Sequence, residues 1–140
     1  MTYFYLEPEV AGGLGENTVI DRSVHPPVVG KLHYILDGWL GDALLESFPC
    51  FIVTERAKEE LLASGLSGVR FEEAEVTTSD QFKELYPNRQ IPKFIRLKAE
   101  GKPGWDDFAT VPDGRLVVSQ RALEVLKGLG ISNALVAAFE

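Results

Sequence analysis

IVTERAKEELLASGLSGVRFEEAE, from Ile52 to Glu75, and VVSQRALEVLKGLGISNALVAAFE, from Val117 to Glu140, carry the same pattern. They align without a gap at an offset of 65 residues, which takes Ile52 to Val117. Unrelated segments of this length would share roughly one or two identities. Here eight of 24 pairs are identical: Val53/Val118, Arg56/Arg121, Ala57/Ala122, Glu59/Glu124, Leu61/Leu126, Gly65/Gly130, Ser67/Ser132 and Glu75/Glu140. The chain is therefore expected to contain one supersecondary unit twice.

Each copy predicts a strand, a capped helix, a glycine stop and a second strand. Thr54 and Ser119 stand where a hydroxyl N-cap belongs. Gly65 and Gly130 follow the helical segments, and glycine is the usual left-handed helix stop. Neither helix can bury its apolar stripe without a sheet against it. We therefore expect the α/β (α+β) class, as a single layered domain over 1–140 with a mixed sheet and repeated strand–helix–strand units at 42–76 and 106–140.

Outside the repeat, apolar patterning and chain breakers predict short elements. Strands are expected at Tyr3–Leu6, Leu32–Leu36, Val69–Val76 and Lys93–Leu97. Residues 11–17 are expected to form a loop, and Trp39–Phe48 a short helix or irregular segment. Thr78 is the expected cap of a helix over Gln81–Tyr86.

The bulk composition favours a cytoplasmic protein. The 140 residues include one cysteine, Cys50, so an internal disulfide and a cysteine-based metal site are excluded. The first residues lack the basic and apolar regions of a signal peptide, which together with the single cysteine predicts a reducing cytoplasm. No apolar run is long enough to span a membrane, so no membrane association is expected.

The net charge of −7 is concentrated in one third of the chain. Ten acids and three bases lie between Ile35 and Asp80, whereas residues 81–100 hold five bases and two acids. Such a chain repels phosphate backbones, so nucleic acid is not an expected partner. An acidic face would suit a basic protein partner, and the same charge also fits ordinary solubility.

Few side chains are arranged as catalysis or metal binding requires. His25 and His33 are eight residues apart, a spacing that matches no helical or hairpin pair of zinc ligands. Cys50 begins an apolar strand and lacks the flanking signature of a nucleophile. We therefore expect no catalytic residue, no metal site and no cofactor. Both helices carry pairs spaced for a stabilising ion pair, Arg56/Glu59 and Arg121/Glu124.

The repeated pattern resembles a motif of immunity proteins from bacterial polymorphic-toxin systems, a family first described as a domain of unknown function. The similarity is carried by Phe51-Ile52-Val53-Thr54-Glu55-Arg56-Ala57, by Leu61, by Gly65-Leu66-Ser67-Gly68-Val69-Arg70-Phe71, and in the second copy by Asp106-Asp107-Phe108 and Leu116-Val117-Val118-Ser119-Gln120-Arg121-Ala122-Leu123. It covers about half the chain. The resemblance implies a cytoplasmic antitoxin, not an enzyme, that neutralises a cognate toxin by direct stoichiometric binding, and it supplies no catalytic residues.

Candidate toxin-binding residues come from the acidic region: Asp37, Asp42, Glu72, Glu73 and Glu75. A face built by residues 79–105 is the alternative surface. Two other functions stay open. A pocket at the seam between the repeated units would make the chain a small regulatory or ligand-binding domain. An enzyme would instead use Asp106, Asp107 or His33 as its acid or base.

Overall fold

The computed structural model of this chain describes residues 2–140. Within them lie three helices, α1 (Glu55–Ala63), α2 (Asp80–Leu85) and α3 (Gln120–Leu129). The strands are β1 (Tyr3–Glu7), β2 (Gly12–Leu14), β3 (Ile20–Asp21), β4 (Val28–Val29), β5 (His33–Leu36), β6 (Leu44–Ser47), β7 (Cys50–Thr54), β8 (Val69–Glu72), β9 (Glu75–Thr78), β10 (Phe94–Ala99), β11 (Phe108–Thr110), β12 (Leu116–Ser119) and β13 (Leu135–Phe139). The expected α+β class is confirmed.

The strands are distributed over four sheets. Sheet A has the order β11-β12-β1-β13, sheet B β6-β7-β10-β8 and sheet C β2-β5-β9, while β3 pairs with β4. Neighbouring strands are antiparallel in sheets A and B. In sheet C, β5 is antiparallel to β2 and parallel to β9, so sheet C is the mixed one.

Sheets A and B share one connection pattern. In sheet B the β6–β7 hairpin leads through α1 to β8, and β10 lies between β7 and β8. In sheet A the β11–β12 hairpin leads through α3 to β13, and β1 lies between β12 and β13. Both helices begin at the expected caps, because the Thr54 and Ser119 hydroxyls accept from the N–H groups of Ala57 and Ala122, each at 3.1 Å. The duplication itself stays a prediction, to which the common topology adds a second similarity.

Sheet B is the central layer, because side chains on both of its faces are buried. Phe51, Val53 and Leu97 face a core shared with sheet A, α1 and α3. Cys50 and Ile52 face a second core shared with sheet C and α2. Successive side chains of a strand point to opposite faces, so β7 contributes alternately to the two cores.

Two segments that were not expected to be strands form strands. The loop expected at 11–17 contains β2, which pairs with β5. A Cβ at Gly12 would overlap the Ile35 carbonyl oxygen, so glycine is what lets the two backbones approach. The segment Trp39–Phe48, expected to be helical or irregular, contains β6. Leu44 and Leu45 of β6 are fully buried, and pairing with β7 rather than helical periodicity determines their structure.

The strand expected over Val69–Val76 is divided between two sheets. Its first part is β8 at the edge of sheet B, and its second part is β9 at the edge of sheet C. Glu72 and Glu75 therefore do not belong to one continuous acidic strand. The helix that follows, α2, is capped by Ser79 and not by Thr78, because the Ser79 hydroxyl accepts from the N–H of Phe82 at 3.2 Å.

Candidate functional site

Asp42, one of the five candidate acids, lies in the interior. It is 2 % exposed, and its two carboxylate oxygens accept from the backbone N–H of Asn133 at 2.9 Å and from its Nδ2 at 2.8 Å. A partner cannot reach this carboxylate. The expected docking role of Asp42 is therefore corrected: it anchors the loop that follows α3.

Glu72 lies in a cluster of bases on the surface of sheet B. Its carboxylate is 2.7 Å from Arg70 and 3.8 Å from both Arg96 and Lys98. The hydrogen bond from Arg70 is the main reason that the pKa of Glu72 is lowered. Arg70 also binds Glu100 through two hydrogen bonds, at 2.9 and 3.0 Å. Bases on β8 itself and on the neighbouring β10 therefore offset the negative charge in this part of the acidic region.

Glu73 and Glu75 also have basic neighbours. Glu75 is 3.7 Å from Lys31 and accepts from the side-chain amide of Asn17 at 3.2 Å. Glu73 is exposed and is 3.6 Å from Lys93. Most of these bases are far from the acids in the sequence and come close to them only in the fold. The negative charge of the acidic region is therefore better neutralised than the sequence suggests. The five candidate acids do not form one acidic face.

Asp37 lies instead at a cleft of about 380 Å³ that combines apolar, aromatic and charged side chains. We call it the Trp39 cleft. Its lining includes three large apolar side chains that face solvent: Val10, Leu40 and Leu85 are 67 %, 68 % and 59 % exposed. A group of exposed apolar side chains around a cleft is typical of an interaction site. The cleft also brings Asp37 together with the face expected from residues 79–105.

The aromatic wall beside this cleft is held in place by Arg89. The Arg89 guanidinium carbon lies 4.7 Å from the centre of the Trp39 ring and 5.0 Å from that of Tyr86. Arg89 Nη1 donates to the Trp39 carbonyl at 2.7 Å, and the Trp39 indole N–H donates to the Asp42 carbonyl at 3.0 Å. The Trp39 ring also meets Phe94 edge-on, with centroids 5.6 Å apart. These contacts fix the wall without any partner.

The loop that carries Leu40 is anchored from below by Glu9. Glu9 is buried, and its carboxylate oxygens accept from the N–H of Leu40 at 2.8 Å and from that of Asp42 at 3.3 Å. The Ala11 carbonyl accepts from the N–H of Asp37 at 2.8 Å. Glu9 could not be singled out from the sequence, because a single acid beside a proline carries no recognisable signal.

A second cavity, of about 600 Å³, lies at the seam between the two units. We call it the seam cavity, and its lining residues are Ser67, Trp105, Asp107, Gln120, Arg121 and Glu124. Ser67 follows α1 and Arg121 lies in the first turn of α3, so both units contribute to it. The Trp105 side chain is 72 % exposed at its rim.

Asp107 joins the two sides of the seam cavity. Its Oδ2 accepts from Arg121 at 2.7 Å and from the Ser67 N–H at 2.9 Å, and its Oδ1 accepts from the Ser119 hydroxyl at 2.6 Å. Burial opposes ionisation of this carboxyl, but the hydrogen bonds from Arg121, Ser119 and Ser67 outweigh it and lower its pKa to about 2. The expected pairing of Arg121 with Glu124 is wrong, because Arg121 turns to the buried carboxylate.

The other side chains considered for chemistry make structural contacts. His33 is buried, and its Nε2 lies 2.8 Å from the Thr77 hydroxyl. An Asp106 oxygen accepts from the N–H of Lys102 at 2.7 Å within a turn. Cys50 is buried, which raises the pKa of its thiol. Among residues 2–140, no three His, Cys, Asp or Glu side chains converge to hold a metal ion.

No protein-family model, curated protein or solved structure matches this chain. None of the helices described within residues 2–140 has both the length and the apolar character needed to cross a bilayer.

Proposed function

We propose that this protein is a cytoplasmic immunity protein that neutralises a cognate bacterial toxin by direct stoichiometric binding, and that the toxin docks at the Trp39 cleft. The resemblance of the repeated motif to immunity proteins supports the class of function. The observation that carries the location is the set of exposed apolar side chains, Val10, Leu40 and Leu85, around the wall of Trp39, Tyr86 and Arg89.

The composition of this wall favours protein binding over solubility alone. Tryptophan, tyrosine and arginine are the residues most enriched among those that dominate binding energy at protein interfaces. Arg89 already stacks on both rings, so little side-chain freedom remains to be lost when a partner binds. Asp37 at the edge of the cleft offers one carboxylate to a basic group of the toxin.

The expected salt dependence separates this surface from the acidic one. Because Glu72, Glu73 and Glu75 already have basic neighbours, they contribute little net charge to attract a basic toxin. An apolar cleft loses little affinity when salt screens surface charges. We expect the toxin complex to persist at high salt.

The decisive experiment is co-expression with the product of the adjacent reading frame, scored by growth rescue and by co-purification at low and high salt. Immunity predicts rescue and a one-to-one complex. If that product is not toxic, or is toxic and is neither rescued nor bound, the proposed function is wrong.

Matched variants then locate the surface. Leu40→Asp and Leu85→Asp place a charge in the cleft, and each is expected to weaken the complex by about tenfold or more. The control is Leu62→Asp on α1, because Leu62 is about as exposed as Leu85 (57 % against 59 %) and lies outside the cleft. Glu73→Lys tests the acidic alternative. Rescue that survives both cleft variants and fails with Glu73→Lys would move the docking surface to the acidic region.

A second candidate function is a ligand-binding domain that uses the seam cavity. The observation favouring it is that both repeated units line this cavity, with exposed Trp105 at its rim. It predicts a thermal shift and a change of Trp105 fluorescence with a small metabolite, both lost in Trp105→Ala. A metabolite screen without such a response, alongside a stable toxin complex, would rule it out.

A further inference from the structure

β13 ends sheet A with one side of its backbone uncovered. Within residues 2–140 it pairs with β1 and with no other strand. The N–H and C=O groups along its outer side are therefore available for another strand. Exposed edges of this kind pair readily with a second chain unless charges, proline or a bulge prevent it.

The side chains of β13 provide no such protection. Leu135-Val136-Ala137-Ala138-Phe139 contains neither charge nor proline, and Leu135 and Val136 are 68 % and 42 % exposed. The strand in the same position of sheet B, β8, is protected by charge. In the repeat alignment its Arg70 and Glu72 correspond to Leu135 and Ala137 of β13. Arg70 and Glu72 form an ion pair at 2.7 Å. Of these two edges, only the one in sheet A is left apolar.

We propose that a second copy of this chain pairs antiparallel with β13 about a two-fold axis at Ala137. The axis places Leu135 of each copy opposite Phe139 of the other, and Val136 opposite Ala138. Every cross-strand pair is then apolar, and the small Ala137 side chains meet at the centre. A two-fold interface must be complementary to itself, and this strand satisfies that condition along its length. The two copies of sheet A would form one eight-stranded sheet.

Complementary charges on the side of β13 that faces α3, Lys127 and Glu140, favour a second copy of this chain as the partner that pairs with the strand. Val136 pairs with Leu6, which lies in the core with α3, so even-numbered residues of this segment face the helix side. A groove of about 310 Å³ there is lined by Lys127, Ala134 and Val136, among others. The two-fold register places Glu140 of one copy opposite Ala134 of the other. Glu140 of each copy therefore approaches Lys127 of its partner.

Sedimentation over a range of concentrations tests the dimer with the full chain. Ala137→Glu places two carboxylates face to face on the axis, and it is expected to weaken dimerisation by about tenfold or more. Ala63→Glu is the control, since Ala63 is an exposed alanine on α1, away from this edge. A wild-type chain that stays monomeric throughout the range, or a dimer as tight in Ala137→Glu as in Ala63→Glu, would overturn the proposal.

Charge reversal tests the register. Lys127→Glu and Glu140→Lys should each weaken the homodimer, since each places like charges together at both contacts. Mixing the two variants should restore a heterodimer of nearly wild-type strength, because both contacts are then between opposite charges. Loss of folding in either variant cannot produce this rescue, and its absence would refute the register. The Trp39 cleft shares no lining residue with this edge, so the toxin-binding proposal stands or falls separately.

Discussion

Asp42 and Asp107 have reciprocal positions: each lies just before the first strand of its own hairpin and holds the loop that follows the other unit's helix. The Asp42 carboxylate accepts from Asn133 after α3, and the Asp107 carboxylate accepts from Ser67 after α1. Each unit is thus fastened to the other by a buried carboxylate. We expect the two units to unfold together because of these contacts.

The first prediction concerns the Asp107 network. Asp107→Ala leaves the buried Ser119 hydroxyl and the Ser67 N–H without their acceptor, so unfolding free energy should fall by about 2–4 kcal/mol. Asp113→Ala is the matched control, because Asp113 forms an exposed pair with Arg115 at 2.9 Å. Such surface pairs contribute at most about 1 kcal/mol. Equal losses in urea unfolding of the two variants would contradict the structural role of Asp107.

The same carboxyl predicts part of the acid sensitivity. Its pKa of about 2 in the folded protein lies below the ordinary value of 3.8, so the folded state favours the ionised form. The resulting stability is present above pH 3.8 and is lost as the pH falls towards 2. The unfolding free energy of Asp107→Asn should therefore fall less steeply than that of the wild type as the pH drops from 3.8 towards 2. Chemical denaturation at several pH values in this range measures the two slopes, and equal slopes would argue against this role of Asp107.

Glu46 predicts a pH dependence of the opposite sign. Burial, assisted by the charge of Glu7, raises its pKa from 4.5 to about 7. Folding favours the protonated form of Glu46. The contribution of this residue to the stability of the protein is therefore fully present below pH 4.5 and is lost as the pH rises through 7. The carboxyl is partly exposed, so solvent screening limits the effect to about 1 kcal/mol or less. Glu46→Gln should remove this decline when unfolding is compared at pH 5 and 8, whereas an unchanged decline would exclude Glu46 as its source.

Replacing two of the glycines by alanine should change the stability of the protein in opposite directions. Gly68 has φ of +79°, and a Cβ there would strike the Phe108 carbonyl oxygen. Gly68→Ala should cost about 1–3 kcal/mol. Gly128 lies within α3 with open space around its Cβ position, so Gly128→Ala should stabilise by about 0.5–1 kcal/mol. Thermal melts of both variants test the pair, and a shift in the same direction would count against the backbone argument.

Local chemistry explains what could be predicted from the sequence. Thr54 and Ser119 identify their helix starts because a hydroxyl cap acts within three residues. Gly65 identifies a helix end because its φ of +64° favours glycine. The insertion of β10 and β1 into the two sheets could not be predicted, because pairing between distant strands leaves no mark on the local pattern.

The candidate site was predictable only in parts. Asp37 belonged to the acidic set, and Tyr86 and Arg89 belonged to the alternative face at 79–105. Their meeting at one cleft depends on Arg89 reaching the Trp39 carbonyl, 50 residues away. Asp42 looked available in the sequence because its partner, Asn133, lies 91 residues away. The nearest base to Glu72, Arg70, is on the same strand, but Arg96 and Lys98 reach Glu72 from β10, a pairing that the sequence does not reveal.

The inserted strands also govern when the protein can finish folding during its synthesis. Sheet B is built from residues between Leu44 and Ala99, so a ribosome delivers it complete before β11, β12 and β13 appear. β1 is delivered earlier still, yet Tyr3 pairs with Ser119 and Phe139. The segment Tyr3–Glu7 therefore remains without its partner strands, β12 and β13, during most of translation. Stalled nascent chains should therefore protect sheet B from protease well before they protect β1.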